Sequence, residues 1–154
     1  MAETAPLKYT VTHYRKPEHT HEEFIKWIVE VHLPLAIPIF KKHGVLEYSI
    51  VSSILPDHLS HDLTASKFTT PAGPNEALKA ELGQFRPTWD FADFDCFLEY
   101  TIPDAQAIKN VMSDPDWPAA IKDQDDWVDT SKALLSLGYH TPYLLKTGEV
   151  VNMK

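Results

Sequence analysis

A small set of histidines, carboxylates and tyrosines carries the acid–base chemistry available to this 154-residue chain. His13 lies in a stretch of alternating residues, and His32 lies on the apolar side of a predicted helix, one turn after Ile28. Imidazole titrates near neutral pH, so either ring is suited to act as a general acid or base. A structural role stays open for both: His13 as a hydrogen-bonded core residue, and His32 as a partner for unpaired carbonyls at the helix end.

Further candidates lie on the other predicted strands. Asp95 and Glu99 share one face of a strand that follows several aromatic residues. Burial among aromatic rings would raise the pKa of a carboxyl group, and a neutral carboxylic acid could protonate a ring carbon. A solvated turn position is the alternative for Asp95. We therefore predict a catalytic group that also includes a tyrosine hydroxyl and a strand-start imidazole: His13, His32, Asp95, Tyr48 and His140.

Aromatic side chains supply candidates for binding a flat aromatic substrate by ring stacking. For each large ring, a place in the hydrophobic core is the alternative. The predicted substrate-binding residues are Tyr9, Phe85, Trp89, Trp117 and Glu99. Which strand face lines a pocket stays open, and Tyr14 replaces His13 if the faces are reversed.

Metal, nucleotide and nucleophile chemistry find little support in the motifs. The histidine pairs His19/His21 and His58/His61 have no third ligand at a diagnostic spacing. Neither a GxSxG elbow nor a glycine-rich phosphate loop is present. Cys96 is a mid-strand cysteine that we expect to be buried. We expect no metal site and no organic cofactor.

Composition limits the partners. The formal net charge is -8 and the pI is near 5.4, with scattered basic residues, which argues against nucleic acid and anionic membranes as partners. A single cysteine excludes an internal disulfide and favours a reducing compartment. No apolar run approaches the length of a membrane span, and no signal peptide is recognisable. We expect a cytoplasmic protein of one domain, residues 1–154.

Hydrophobic periodicity predicts the elements that must position these residues. Alternation predicts four strands, over Leu7–Arg15, Val45–Ser53, Phe94–Thr101 and Tyr139–Lys146. A capping box formed by Thr20 and Glu23 predicts a helix that ends or kinks beside Pro34. Further helical spacing predicts a second piece to Lys42 and then helices over Ala105–Met112 and Ala119–Leu137.

The order of these elements predicts an α+β fold of the ferredoxin-like split βαβ kind. Helices would cover one face of a four-stranded antiparallel sheet, and residues 55–93 would form an insertion. The other face is expected to carry apolar residues together with titratable groups, with His13, Glu47, Asp95 and Glu99 as candidates. A mixed face of that kind suits a cavity closed by a second copy of the sheet.

Three short runs resemble the opening of EthD-domain proteins: His13–Pro17 (HYRKP), Thr20–Phe24 (THEEF) and Val31–Ala36 (VHLPLA). The likeness is strongest over the first fifty residues and stays in register over Asp93–Met112. It implies a dimeric α+β barrel, with two sheets facing each other and a ligand pocket between sheet and helices. It also implies a homodimer and an aromatic small-molecule substrate.

The function implied by this resemblance is a cofactor-free lyase of fungal aromatic polyketide biosynthesis. The first expectation is decarboxylation of a polyphenolic acid of the anthrone or anthraquinone type, with His13 or Asp95 protonating the ring carbon and Tyr48 or His32 donating to an oxygen. A dehydratase or an aldol-type cyclase would use the same groups. The third alternative is a non-catalytic ligand-binding or stress-response protein, which should lack a sizeable apolar cavity beside His13 and His32.

Overall fold

The computed structural model describes residues 5–52 and 79–153. Its strands are β1 (Leu7–His13), β2 (Glu47–Ser52), β3 (Cys96–Ile102) and β4 (Leu134–Tyr139). Its named helices are α1 (His21–Trp27), α2 (Leu33–Lys42), α3 (Ala105–Met112), α4 (Trp117–Ala120) and α5 (Gln124–Trp127), with a π-helical turn, Ile28–His32, between α1 and α2. Residues 79–83 are also helical.

The four strands form one antiparallel sheet in the order β2-β3-β1-β4. This confirms the predicted α+β class and the ferredoxin-like arrangement. On one face Tyr9 lies opposite Tyr100, and His13 lies opposite Cys96. That face packs against the helices. The prediction that His13 and Glu99 share the face away from the helices is therefore wrong for His13. Side chains alternate along a strand, and His13 and Glu99 fall on opposite sides of the β1–β3 pair.

The start of α1 confirms the predicted capping box. The Thr20 hydroxyl accepts from the Glu23 amide at 3.2 Å, and the Glu23 carboxylate accepts from the Thr20 amide at 2.8 Å. Beside Pro34, where the sequence predicts that the helix ends or kinks, α1 has ended at Trp27, and a π turn joins it to α2 without an intervening loop. There the Leu33 N–H donates to the Ile28 carbonyl, five residues back. Pro34 has no N–H, so it forms no backbone hydrogen bond to an earlier carbonyl. The shift from the α to the π pattern directly before it therefore costs no hydrogen bond of Pro34.

The core lies between the helix layer and the inner sheet face. Phe24 and Ile28 from the helix layer and Ile102 from β3 are fully buried, and Val128 joins them from the segment after α5. Each such side chain stabilises the fold by about 1.5–3 kcal/mol relative to an exposed position. A buried carboxylate, Asp114, fixes the end of α2 to the loop after α3 through 2.7 Å contacts to Lys42 and His43.

The last third of the chain corrects two predictions. The helix predicted over Ala119–Leu137 is wrong, because it breaks into α4 and α5 and then gives way to β4. A turn closes behind α5, where the Asp129 side chain accepts from the Ser131 amide at 3.2 Å. The helix-forming leucines that follow pair with β1, so tertiary pairing outweighs their local propensity.

The strand predicted over Tyr139–Lys146 is also wrong. The edge strand β4 ends where that prediction begins, and the chain beyond Tyr139 leaves the sheet. Pro142 cannot donate to a ladder, and Leu144 instead forms an isolated bridge with Val150. By contrast, the helix predicted over Ala105–Met112 is confirmed at both ends.

Part of the predicted insertion, and the pair His58 and His61, lie outside the described residues. None of the described helices combines the length and the apolar character needed to cross a membrane.

Candidate functional site

A cavity of about 510 Å³ lies between the inner sheet face and the helices. The central strands form its floor, α3 and α4 with the loops around them form its walls, and the π turn contributes one histidine. A cavity of this size is in the range that holds small organic ligands. The lining residues are Tyr9, Val11, His13, His32, Leu98, Tyr100, Ile108, Val111, Met112, Trp117, Pro118, Ile121 and Gln124.

His32 is the cavity residue with the most defined hydrogen bonding. Its ring is buried at 7% exposure, and its Nδ1 lies 2.9 Å from the Ala120 carbonyl oxygen. A carbonyl only accepts, so Nδ1 carries the hydrogen. Burial lowers the pKa of His32, although the bond to Ala120 opposes that shift. A neutral ring with its hydrogen on Nδ1 leaves Nε2 as an unprotonated acceptor, which is the state that a general base requires.

The His32 ring is one end of a column of stacked aromatic rings. The His32 ring stacks on Trp27 with centroids 5.9 Å apart, Trp27 stacks on Trp127 at 5.6 Å, and Trp127 stacks on His19 at 3.9 Å. Trp117 meets the His32 ring edge-on at 6.1 Å. Rings packed on both sides restrict the rotation of the imidazole, so its orientation is fixed by stacking as well as by the hydrogen bond.

His13 lines the same cavity from the end of β1. Burial, with a smaller contribution from nearby His32, lowers its pKa to about 4. Its Nδ1 is buried and finds no hydrogen-bond partner among the described residues. A buried nitrogen without a partner is costly, and a bound ligand or water can satisfy it. His13 lies on the helix side of the sheet, as its structural alternative expected, but Nδ1 lacks the hydrogen bond of that alternative and the residue lines the cavity.

Tyrosines form a row across the sheet beside the histidines. Tyr9 and Tyr100 line the cavity, with ring centroids 5.4 Å apart, and Tyr48 lies beyond Tyr100 at 4.8 Å. Burial raises the pKa of each phenol, so all three stay protonated hydrogen-bond donors at neutral pH. Tyr48 is not among the lining residues, and its buried hydroxyl has no partner in the described part of the chain.

Asp95 lies outside the cavity lining. Its carboxylate accepts from the Arg15 amide at 2.8 Å and from the Arg15 guanidinium at 3.2 Å, and it lies 3.1 Å from Nδ1 of His21. This network fixes the chain after β1 to the start of α1. Because its carboxylate oxygens are engaged in this network and lie outside the lining, Asp95 is not placed to give a proton to a cavity ligand.

Two other predicted residues also lie away from the cavity. Glu99 lies on the opposite sheet face, between Thr10 and Ser49 on the neighbouring strands. His140 follows β4, and its backbone N–H donates to the Pro6 carbonyl at 2.9 Å. Neither side chain is among the cavity lining.

The predicted aromatic binders separate into two places. Trp117 lines the main cavity, as does Tyr9. Phe85 and Trp89 are 72% and 69% exposed and line a second, open depression, where the Arg86 guanidinium lies 5.2 Å from the Trp89 ring centroid. The structure thus brings together four of the ten predicted site residues: Tyr9, His13, His32 and Trp117.

Most residues that line the main cavity were not among the site residues predicted from the sequence. Tyr100 was not among the candidates, although it shares a face with Tyr9 once the β1–β3 register is known. The apolar stripe of α3, Ile108 and Val111, was visible as helical spacing, but nothing in the sequence distinguishes a cavity wall from a packed core. Gln124 carries no signal of its own. Over the described residues, no group of three or more histidine, cysteine, aspartate or glutamate side chains could hold a metal ion.

Comparisons with known proteins agree with this architecture. The EthD domain family matches residues 16–131. The dehydratase iacD of Pestalotiopsis fici is 31% identical over 153 residues, covering 99% of this chain and 98% of the relative. The decarboxylase claH of Passalora fulva is 24% identical, covering 94% of this chain and 82% of the relative.

A solved structure supports the fold alone. It is described as a dimeric protein of unknown function with a ferredoxin-like fold, from Bacteroides fragilis. It matches 88% of this chain and 96% of its own length, with a TM-score of 0.51 and 9% sequence identity.

The tautomer of His32 is directly measurable. Long-range ¹H–¹⁵N NMR at pH 7 should show a protonated Nδ1 and an unprotonated Nε2 for His32, because the Ala120 carbonyl holds the hydrogen on Nδ1. Burial disfavours the imidazolium, so on acidification His13 should stay neutral until the pH approaches about 4. The variants His32→Asn and His13→Asn assign the two resonances. An Nε2–H tautomer at His32, or a His13 that charges at its ordinary pKa of 6.5, would contradict this description.

Proposed function

Because the chain belongs to the EthD domain family, we propose that it is a lyase that eliminates water from an aromatic polyketide, with His32 as general base. The observation that carries this proposal is a neutral imidazole, held by the Ala120 carbonyl, on the wall of an apolar cavity. The similarity to a protein named as a dehydratase, over nearly the full length of both chains, supports the reaction class. The polyketide substrate rests on the resemblance described above.

The proposed substrate is a β-hydroxy ketone. Nε2 of His32 takes a proton from the carbon between the carbonyl and the carbinol, and the carbonyl becomes an enolate. The enolate re-forms the carbonyl as the C–O bond breaks, and the departing hydroxyl takes the proton back from His32. One C–H bond and one C–O bond break, a C=C bond forms, and one water leaves.

The electrostatics of the cavity favour this reaction over protonation of a ring carbon. Burial keeps His13 and His32 neutral at physiological pH, so neither holds a spare proton to give. Asp95, the other acid expected for ring protonation, is paired with Arg15 outside the lining. A resting base rather than a resting acid is what an elimination needs first.

Decarboxylation of a polyphenolic acid is the second candidate. The relative named as a decarboxylase favours it, and an apolar cavity withdraws water from a carboxylate, which promotes loss of carbon dioxide. Mass spectrometry separates the two reactions, because one product has lost water and the other has lost carbon dioxide.

The active assembly is proposed to be a homodimer with the two outer sheet faces in contact. The outer face carries half-exposed Phe97, and its Val51 and Leu134 side chains are 43% and 64% exposed. Apolar side chains left on one face of a sheet are typical of a surface that packs against another layer. The Bacteroides fragilis protein of the same fold is described as dimeric.

Replacement of the base should strongly reduce turnover without unfolding the protein. The amide of His32→Asn can donate to the Ala120 carbonyl in place of Nδ1 but has no basic nitrogen. We expect a loss of about 10²–10⁴-fold in kcat on a panel of β-hydroxy aromatic polyketides, read as loss of water, with Tm close to that of the parent protein. For the parent, kcat/KM should fall as the pH drops below 6.5 toward the lowered pKa of His32, because protonation removes the base.

His140→Asn is the matched control, because this histidine lies outside the cavity lining and should leave kcat unchanged. A His32→Asn variant with parental kcat would contradict the assignment, as would a parent protein that dehydrates no member of the panel.

The homodimer is tested by light scattering coupled to gel filtration at micromolar concentration. Val51→Lys should convert the dimer to a monomer, because it places a cation in the proposed sheet–sheet contact. Val31→Lys is the control, since Val31 is similarly exposed, at 44%, but lies in the helix layer. A monomeric parent protein, or equal effects of the two substitutions, would contradict the arrangement.

A further inference from the structure

The polar groups of the main cavity share one property, which is that all are uncharged at neutral pH. Of the residues that the structure describes, no aspartate, glutamate, lysine or arginine lines it. The remaining wall is aliphatic. The polar lining consists of two phenols, two imidazoles, an indole and an amide, from Tyr9, Tyr100, His13, His32, Trp117 and Gln124.

Two basic side chains, Arg15 and Lys42, are engaged in ion pairs away from the cavity lining. Arg15, two residues beyond His13, pairs with Asp95, and Lys42 pairs with Asp114. A carboxylate that entered the cavity would lose its water without gaining a cation, and burying an unpaired charge is strongly unfavourable. The cavity already disfavours charge on its own groups, because burial lowers the pKa of both histidines.

We propose that this cavity selects an uncharged aromatic ketone or alcohol and discriminates against the corresponding carboxylate. The inference rests on the proposed dehydration and names the substrate class for it: a hydroxyketone whose ring system carries phenol or carbonyl oxygens but no free carboxylate. It extends beyond the reaction, because the same selection applies to any ligand of the site.

The cavity also has two polar ends. His13 and Tyr9 lie four residues apart on one face of β1, which separates them by about 13 Å along the strand. The histidines define one end, where the reacting carbon lies. Tyr9 and Tyr100 define the other, where a phenol or ketone oxygen can accept from a hydroxyl. A fused-ring substrate with oxygen functions at both ends satisfies both sets of groups without a charge.

The charge preference is tested with two ligands of nearly the same shape, 2-naphthamide and 2-naphthoate. Titration of the full-length protein at pH 7.5, followed by calorimetry or by quenching of tryptophan fluorescence, should give a Kd at least ten-fold lower for the amide. Neither compound has a hydroxyl to eliminate, so binding is read separately from turnover. Equal or tighter binding of the naphthoate would overturn the proposal, as would the absence of binding by either compound at millimolar concentration.

A substitution that supplies a cation makes the test sharper. Gln124→Lys places an ammonium group on the cavity wall and should reduce the preference for the amide to less than three-fold or reverse it. Gln106→Lys is the control, because Gln106 is exposed on α3 and bonds to Asn110 rather than to the cavity. An unchanged preference in Gln124→Lys would count against the proposal. His32→Asn should keep the charge preference while losing dehydration, so the two proposals can fail independently.

Discussion

The hydrogen bond between the His32 ring and the Ala120 carbonyl is the contact on which the arrangement of the site depends. It joins the π turn of the helix layer to the end of α4, across 88 residues of chain. It also decides which imidazole nitrogen is free, because the carbonyl holds the hydrogen on Nδ1. One contact therefore fixes the position of a cavity wall and the protonation state of the residue that faces the ligand.

The sheet separates two chemical environments. The inner face carries Tyr9, His13 and Tyr100 toward the helices, where burial keeps them uncharged. The outer face carries Glu99, among polar neighbours. Charged side chains that stabilise the fold pair with one another outside the cavity lining, as Asp95 does with Arg15 and buried Asp114 does with Lys42. A cavity with no charged side chain among its described lining residues strengthens its hydrogen bonds, because no counter-ion competes with them.

Much of the fold could be predicted because its signals are local. A capping box starts α1, and a capping aspartate starts α3, so both helices follow from short runs of sequence. The helix predicted after Ala119 is wrong because the interactions that decide the structure of this region are not local. Its leucines suit a helix by propensity, and only pairing with β1, more than a hundred residues away, makes them a strand.

The candidate site was predictable only in part. His13 and His32 could be named from residue type, and Trp117 and Tyr9 from aromatic character. Which of the ten candidates line the same cavity depends on strand register and topology, which the sequence alone does not give. Asp95 and Glu99 lie away from the cavity, because Asp95 precedes β3 and pairs with Arg15, and Glu99 lies on the outer face of β3. The π turn that carries His32 left no pattern in the sequence beyond a proline.

Removal of a proton from carbon by His32 can be measured by isotope exchange in the absence of elimination. A ketone with an acidic C–H and no leaving group, 2-tetralone, is incubated with the protein in deuterium oxide and followed by ¹H NMR. We expect the parent protein to accelerate exchange at the α-carbon and His32→Asn not to do so. Equal exchange rates with the parent and the variant would contradict it.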